Sequence, residues 1–93
     1  MIGACELRLL IEGAHSLKEK RKTLKSLKDR LSRMNVSVAE VDDNDKWQAS
    51  TLGITLVSNE TAFIQSVMDR IVQGIESSGE VEILGCRTEI IHI

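Results

Sequence analysis

Met1–Glu12 opens the chain with alternation. Cys5, Leu7, Leu9 and Ile11 fall on one face and Glu6, Arg8 and Glu12 on the other, broken only by Leu10. That period of two predicts a strand with one face buried. Gly13-Ala14-His15 turns the chain, and from Ser16 to Met34 the period lengthens. Leu17, Leu24, Leu27, Leu31 and Met34 recur at spacings of three and four, the stripe of an amphipathic helix. Ser16 followed by Glu19 forms a capping box: the hydroxyl accepts from a first-turn N–H and the carboxylate reaches back to the Ser16 N–H. Lys20 falls on the apolar stripe, so its stem should lie along the core edge with the ammonium snorkelling to water.

Alternation returns in Asn35–Asp42 (NVSVAEVD) and Thr51–Val57 (TLGITLV), a hairpin across the polar Asp43–Lys46 turn, with a bulge or helical turn expected around Lys46–Ser50. Gly53 inside the second of these strands points to a bulge or to another backbone close by. Ser58 or Asn59 is positioned to cap a second helix, with Glu60 in its first turn. Phe63, Ile64, Val67, Met68, Ile71, Val72 and Ile75 form its apolar face, Gly74 reads as a packing accommodation, and Ser78-Gly79 ends it. Glu80–Ile93 is a last strand, bulged near Gly85.

The order βαββαβ in 93 residues specifies one α+β domain over residues 1–93. The fold is the ferredoxin-like sandwich: a four-stranded antiparallel sheet in the order 4-1-3-2 with two helices on one face. Cys5 and Cys86 then sit on adjacent strands. The helix-free face should mix Glu6, Arg8, Ser37, Thr55, Arg87 and Glu89 with Leu10, Ala39, Val57 and Ile91, a composition suited to a homodimer contact.

Charge changes this picture more than composition does. Ser16–Met34 holds eight of the twelve basic residues, leaving four basic and twelve acidic residues elsewhere. Lys18, Arg21, Lys22, Lys25 and Lys28 fall within an arc of roughly 120° on the helix. A solvated face of good helix formers explains such a ridge, and so does an electrostatic footprint for phosphates or an acidic partner. Concentration in one helix of an acidic chain favours the footprint. RNA-recognition motifs share this topology but stack bases on aromatic residues of the first and third strands, and neither strand carries one. Contact with RNA would therefore run from the ridge to phosphates, reading shape rather than base sequence.

Other chemistry is sparse. Trp47 and Phe63 are the only aromatic residues, and Trp47 lies in a loop, where it caps the core edge, buries in a dimer contact or anchors a partner together with Asp45 and Gln48. Asp42, Asp43 and Asp45 resemble half a calcium loop without its glycine and terminal glutamate. The Gly13–Ser16 turn meets a helix N-terminus, which can bind an anion, but Ser16 and Glu19 occupy the cap. Acylphosphatases of similar topology need a glycine-rich cradle that is missing here. Cys5 and Cys86 read as two reduced thiols rather than a disulfide, with no metal-ligand spacing. No cofactor, metal or catalytic constellation is predicted, nor any membrane span or signal segment, which makes the expected compartment the cytoplasm.

SLKEKR (Ser16–Arg21), NVSVAEVD (Asn35–Asp42), DKWQ (Asp45–Gln48), TLG (Thr51–Gly53) and VSN (Val57–Asn59) together resemble the YlxP-like family, small bacterial proteins long filed as a domain of unknown function. The resemblance spans essentially the whole chain and implies a ferredoxin-like fold in the bacterial cytoplasm. Its members are often encoded beside translation-initiation and ribosome-maturation genes, which implies a ribosomal or RNA role. It carries over no catalytic or binding residues. The functional expectation is a non-enzymatic factor that binds RNA or a ribosomal particle through Lys18, Arg21, Lys22, Lys25 and Lys28. The alternative is a dimeric protein-interaction or small-ligand-sensing module using the open sheet face.

Overall fold

The computed structural model describes every residue, Met1–Ile93. The elements are β1 (Ile2–Leu10), α1 (Leu17–Ser32), β2 (Ser37–Asp42), β3 (Ala49–Val57), α2 (Thr61–Ser78) and β4 (Glu82–Ile91). All strands pair antiparallel in the order β2-β3-β1-β4, which is the predicted order read from the other edge. The connection rules explain why: a hairpin joins β2 to β3, and each helix returns the chain across one face of the sheet.

The core lies between that face and the two helices. β1 contributes Cys5, Leu7 and Leu9, and β3 contributes Leu52, Ile54 and Leu56. Leu24, Leu27 and Leu31 from α1 and Ile64, Val67, Met68, Ile71 and Ile75 from α2 close over them. α1 packs over β2, and α2 over β1 and β4. Phe63 and Val72 depart from the predicted stripe, since Phe63 is exposed and Val72 only partly buried.

The helix ends show what side chains can and cannot do locally. Ser16 Oγ accepts from the Glu19 N–H at 3.2 Å, as a capping box requires. The reciprocal bond is displaced by one residue, because Glu19 accepts from the His15 N–H rather than from Ser16. At α2 the N-cap is Glu60, with no side-chain cap, and Ser58 Oγ accepts from the Glu60 N–H instead. α2 stops at Gly79, whose φ of +71° is open to a residue without Cβ. Asn35, expected to begin a strand, has a φ of +61° and serves as the turn that ends α1.

β3 begins at Ala49, two residues before its predicted start, and no helical turn precedes it. The bulge near Gly85 is present, with the β1–β4 register shifting between Arg8 and Leu9 and Leu84 left as the extra residue. Gly53, by contrast, sits in an unbroken ladder between Glu6 and Ala39. A Cβ there would come within 3.0 Å of Val41 Cγ1, so it is a side chain on the open face, not a neighbouring backbone, that needs the space. Gly74 has nothing within 4 Å of a notional Cβ and accommodates no packing neighbour.

Candidate nucleic-acid interface

The cations of α1 divide by their position around the helix. Lys20 points inward among the leucines, and its side chain is 1% exposed. It does not snorkel. Its ammonium pairs with Glu40 Oε2 at 3.0 Å and donates to the carbonyls of Asp43 and Asn44. Glu40 accepts a second bond from the buried Ser50 hydroxyl at 2.7 Å. A buried charge is tolerable when its partners are this complete. The ammonium thereby fixes the β2–β3 loop against the first turns of α1.

Lys18, Arg21, Lys22 and Lys25 are exposed and Lys28 is half-buried. All five are free of ion pairs: the four salt bridges in the molecule use Lys20, Arg30, Lys46 and Arg87. Arg30 lies on the flank of α1 that faces α2 and sits 3.4 Å from Glu80. Its Nε and Nη2 are shut off from solvent without an aligned hydrogen bond, so this contact is electrostatic in character. The ridge runs around the helix from Arg30, with Lys22 at its border lining the cleft that also holds Glu80. Its only interrupting acid is Asp29.

The cleft beside the Gly13–Ser16 turn is lined by Glu19 and Glu80 as well as Lys22, Thr23 and Ser26. Two carboxylates make it a poor anion cradle, in keeping with Ser16 and Glu19 being occupied by capping.

Trp47 is 56% exposed, so it does not cap the core of this chain. The loop that carries it is nonetheless tied down. Lys46 pairs with Asp43 Oδ1 at 3.0 Å, and the Thr51 hydroxyl donates to Asp43 Oδ2 at 3.0 Å. Those two hydrogen bonds hold the Asp43 carboxyl below its ordinary range. Asp43 itself has a φ of +62°, a conformation aspartate tolerates better than most residues. Gln48, grouped with Trp47 and Asp45 as an interaction residue, has its amide turned inward. It donates to the Glu12 and Ala14 carbonyls at 3.4 and 3.2 Å, joining the loop to the β1–α1 turn. Asp45 remains exposed in the same loop. Sequence reasoning missed the Lys20–Glu40–Ser50 group altogether. The signal for it was a lysine on an apolar stripe together with a glutamate on the inward register of a strand.

On the helix-free face, the registers align Gly53, Glu6 and Arg87 in one row and Thr55, Ala4 and Glu89 in the next. Arg87 and Glu6 approach to 3.5 Å with the guanidinium largely in solvent, a weak pair. Val57, Ile2 and Ile91 form an apolar row at one end. The predicted neighbours Cys5 and Cys86 are both free thiols, with Sγ atoms 3.7 Å apart. Burial pushes the Cys5 thiol up to about 11, while Cys86 is exposed on the edge strand. No group of three or more His, Cys, Asp or Glu side chains converges anywhere, and no helix is long and apolar enough to cross a membrane.

Solved structures similar to this one include the designed protein Foldit4 (TM-score 0.64, 16% identity, 99% of this chain and all of that one). A designed ferredoxin-fold protein, LFR1 1, aligns with a TM-score of 0.63 at 14% identity over 98% of this chain and 87% of that one. The structural-genomics protein YJCS aligns at 0.60 and 12% identity over 99% of this chain and all of its own. At these identities they establish the fold and nothing more. In sequence, the chain is 38% identical over 90 residues to the uncharacterized protein YlxP of Bacillus subtilis (strain 168), covering 96% of this chain and 98% of that protein. The family model described as "Protein of unknown function (DUF503)" matches residues 2–88, and the chain belongs to that YlxP-like family.

Proposed function

We propose that this protein is a small RNA- or ribonucleoprotein-binding factor whose contact surface is the outer flank of α1. The observation that carries this reading is the set of five cations, Lys18, Arg21, Lys22, Lys25 and Lys28, aligned on one flank with no carboxylate partner in a chain of net charge −2. Lysine and arginine left unpaired in water are the groups that displace condensed counterions from a phosphate backbone. The acidic remainder of the surface would repel nucleic acid elsewhere and so orient the encounter. The sheet offers no aromatic platform for bases, which makes the contact one of backbone position and shape.

A direct test is fluorescence anisotropy with short structured and single-stranded RNAs at low salt. The wild-type chain should bind, and Arg21→Glu/Lys22→Glu/Lys25→Glu should abolish binding while the far-UV circular dichroism stays unchanged. Equal binding by both proteins would discard the ridge as the contact surface.

A further inference from the structure

The two edges of the sheet are built differently. β2 is six residues long and its register breaks between Glu40 and Asp42, which blunts that edge. β4 runs for ten residues, and after the bulge at Leu84 its segment Gly85–Ile91 is regular, pairing residue for residue with Arg8–Ile2. The outer side of that segment has no strand beside it. α2 leaves it uncovered too, since Cys86 and Thr88 lie on the helix side of the sheet, opposite Leu7 and Cys5, yet are exposed.

We infer that β4 pairs with β4 of a second copy of this chain, antiparallel and centred on Thr88, making one continuous eight-stranded sheet. Two independent features select this register. First, Thr88 is the midpoint of Gly85–Ile91, so a two-fold axis there pairs the whole regular segment with itself: Gly85 with Ile91, Cys86 with Ile90, Arg87 with Glu89 and Thr88 with Thr88. Second, the charges agree with it. Arg87 and Glu89 share the helix-free face, so the axis at Thr88 sets each Arg87 opposite a Glu89 of the other copy, twice per dimer. Moving the axis by one residue toward Arg87 stacks arginine on arginine, and moving it toward Glu89 stacks glutamate on glutamate. Like charges directly opposite are destabilising, so the edge carries both an attraction at one register and repulsion at its neighbours. The exposed Cys86 gains apolar cover from the opposed Ile90 in the same arrangement. Because paired residues keep their faces, both helix layers lie on one side of the extended sheet. The two α1 ridges sit over the β2 strands at its far ends.

The experiment is a charge-swap series followed by sedimentation equilibrium. The wild type should dimerise. Arg87→Glu alone and Glu89→Arg alone should each raise the dimer dissociation constant by about tenfold or more, because both symmetric pairs turn repulsive. The double variant Arg87→Glu/Glu89→Arg should restore the wild-type constant, and an equimolar mixture of the two single variants should form heterodimers. Thr88→Cys in a Cys5→Ala/Cys86→Ser background, which removes the thiol directly opposite position 88 on β1, should then form an intermolecular disulfide under mild oxidation, since directly opposed Cα atoms lie about 4.5–5.5 Å apart. A protein that stays monomeric at millimolar concentration overturns the proposal. So does a dimer that ignores both charge reversals or fails to cross-link at position 88, because such a dimer uses another surface, the open sheet face included. None of these readouts depends on RNA, so the inference stands or falls apart from the proposed function.

Discussion

Lys20 and Lys18 are two residues apart on one helix and have opposite fates. Lys20 lies on the buried face it shares with Leu24, Leu27 and Leu31 and is held by Glu40 and two loop carbonyls. Lys18 and the four cations aligned with it have no ion-pair partner, and all but the half-buried Lys28 are exposed. Residue type does not separate them, because rotation about the helix axis does. The difference has an energetic meaning. A buried ammonium with its bonds complete is part of the architecture, and removing it strands Glu40 and two carbonyls. A solvated ammonium contributes little to folding and keeps its bonding capacity for a ligand.

The largest effect should therefore come from the inward cation. Lys20→Met is expected to destabilise the fold by ~3–5 kcal/mol, the usual consequence of breaking one side of a buried ion pair. Urea unfolding measures it, and a loss below about 1 kcal/mol would erase the distinction drawn between the two flanks. Leu27→Ala, two turns from Lys20 on the same buried stripe, should cost ~2–5 kcal/mol by transfer and cavity effects. Ser16→Ala should cost roughly 0.5–2 kcal/mol, because the Glu19 N–H loses its acceptor. On the outer flank, Lys25→Ala should move stability by no more than about 0.5 kcal/mol, as surface changes usually do.

The loop fixed by Lys20 supplies a pH test. Asp43 has a depressed pKa in the folded state, so its contribution is present above the ordinary value of 3.8 and is lost as pH falls through the lower folded value. Trp47, the sole tryptophan, reports the loop directly. Its emission should shift in that acidic window, and Asp43→Asn should remove the shift. An identical acid titration in the variant would show that the Lys46 and Thr51 contacts do not hold the loop.

Much of this fold was legible from period alone. The changes from two to 3.6 and back placed all six elements, and the connection rules gave the strand order. Cys5 and Cys86 were placed on adjacent strands by topology, and their sulfurs are in contact. What was hidden was whatever depends on a partner distant in sequence. Lys20 looked like a snorkelling residue because its acceptors, Glu40 and the Asp43 and Asn44 carbonyls, come from another element. Gln48 looked free until the β1–α1 turn closed on it. Gly53 signalled a close approach, but only the folded sheet shows that the Val41 side chain makes it. The ridge itself was fully visible, since surface charge on a helix needs nothing beyond the 100° step to be mapped.

The comparison between the two flanks is tested most directly by the salt dependence of RNA binding. About three of the five ridge cations can reach one backbone from a single helix face. The logarithm of the association constant should then fall with the logarithm of salt concentration with a slope of about −2 to −3 per protomer. Lys25→Glu should flatten that slope by roughly one unit and weaken binding to unrelated RNA sequences alike. A slope near zero, or one unchanged by that substitution, would contradict the assignment of phosphate contacts to the outer flank of α1.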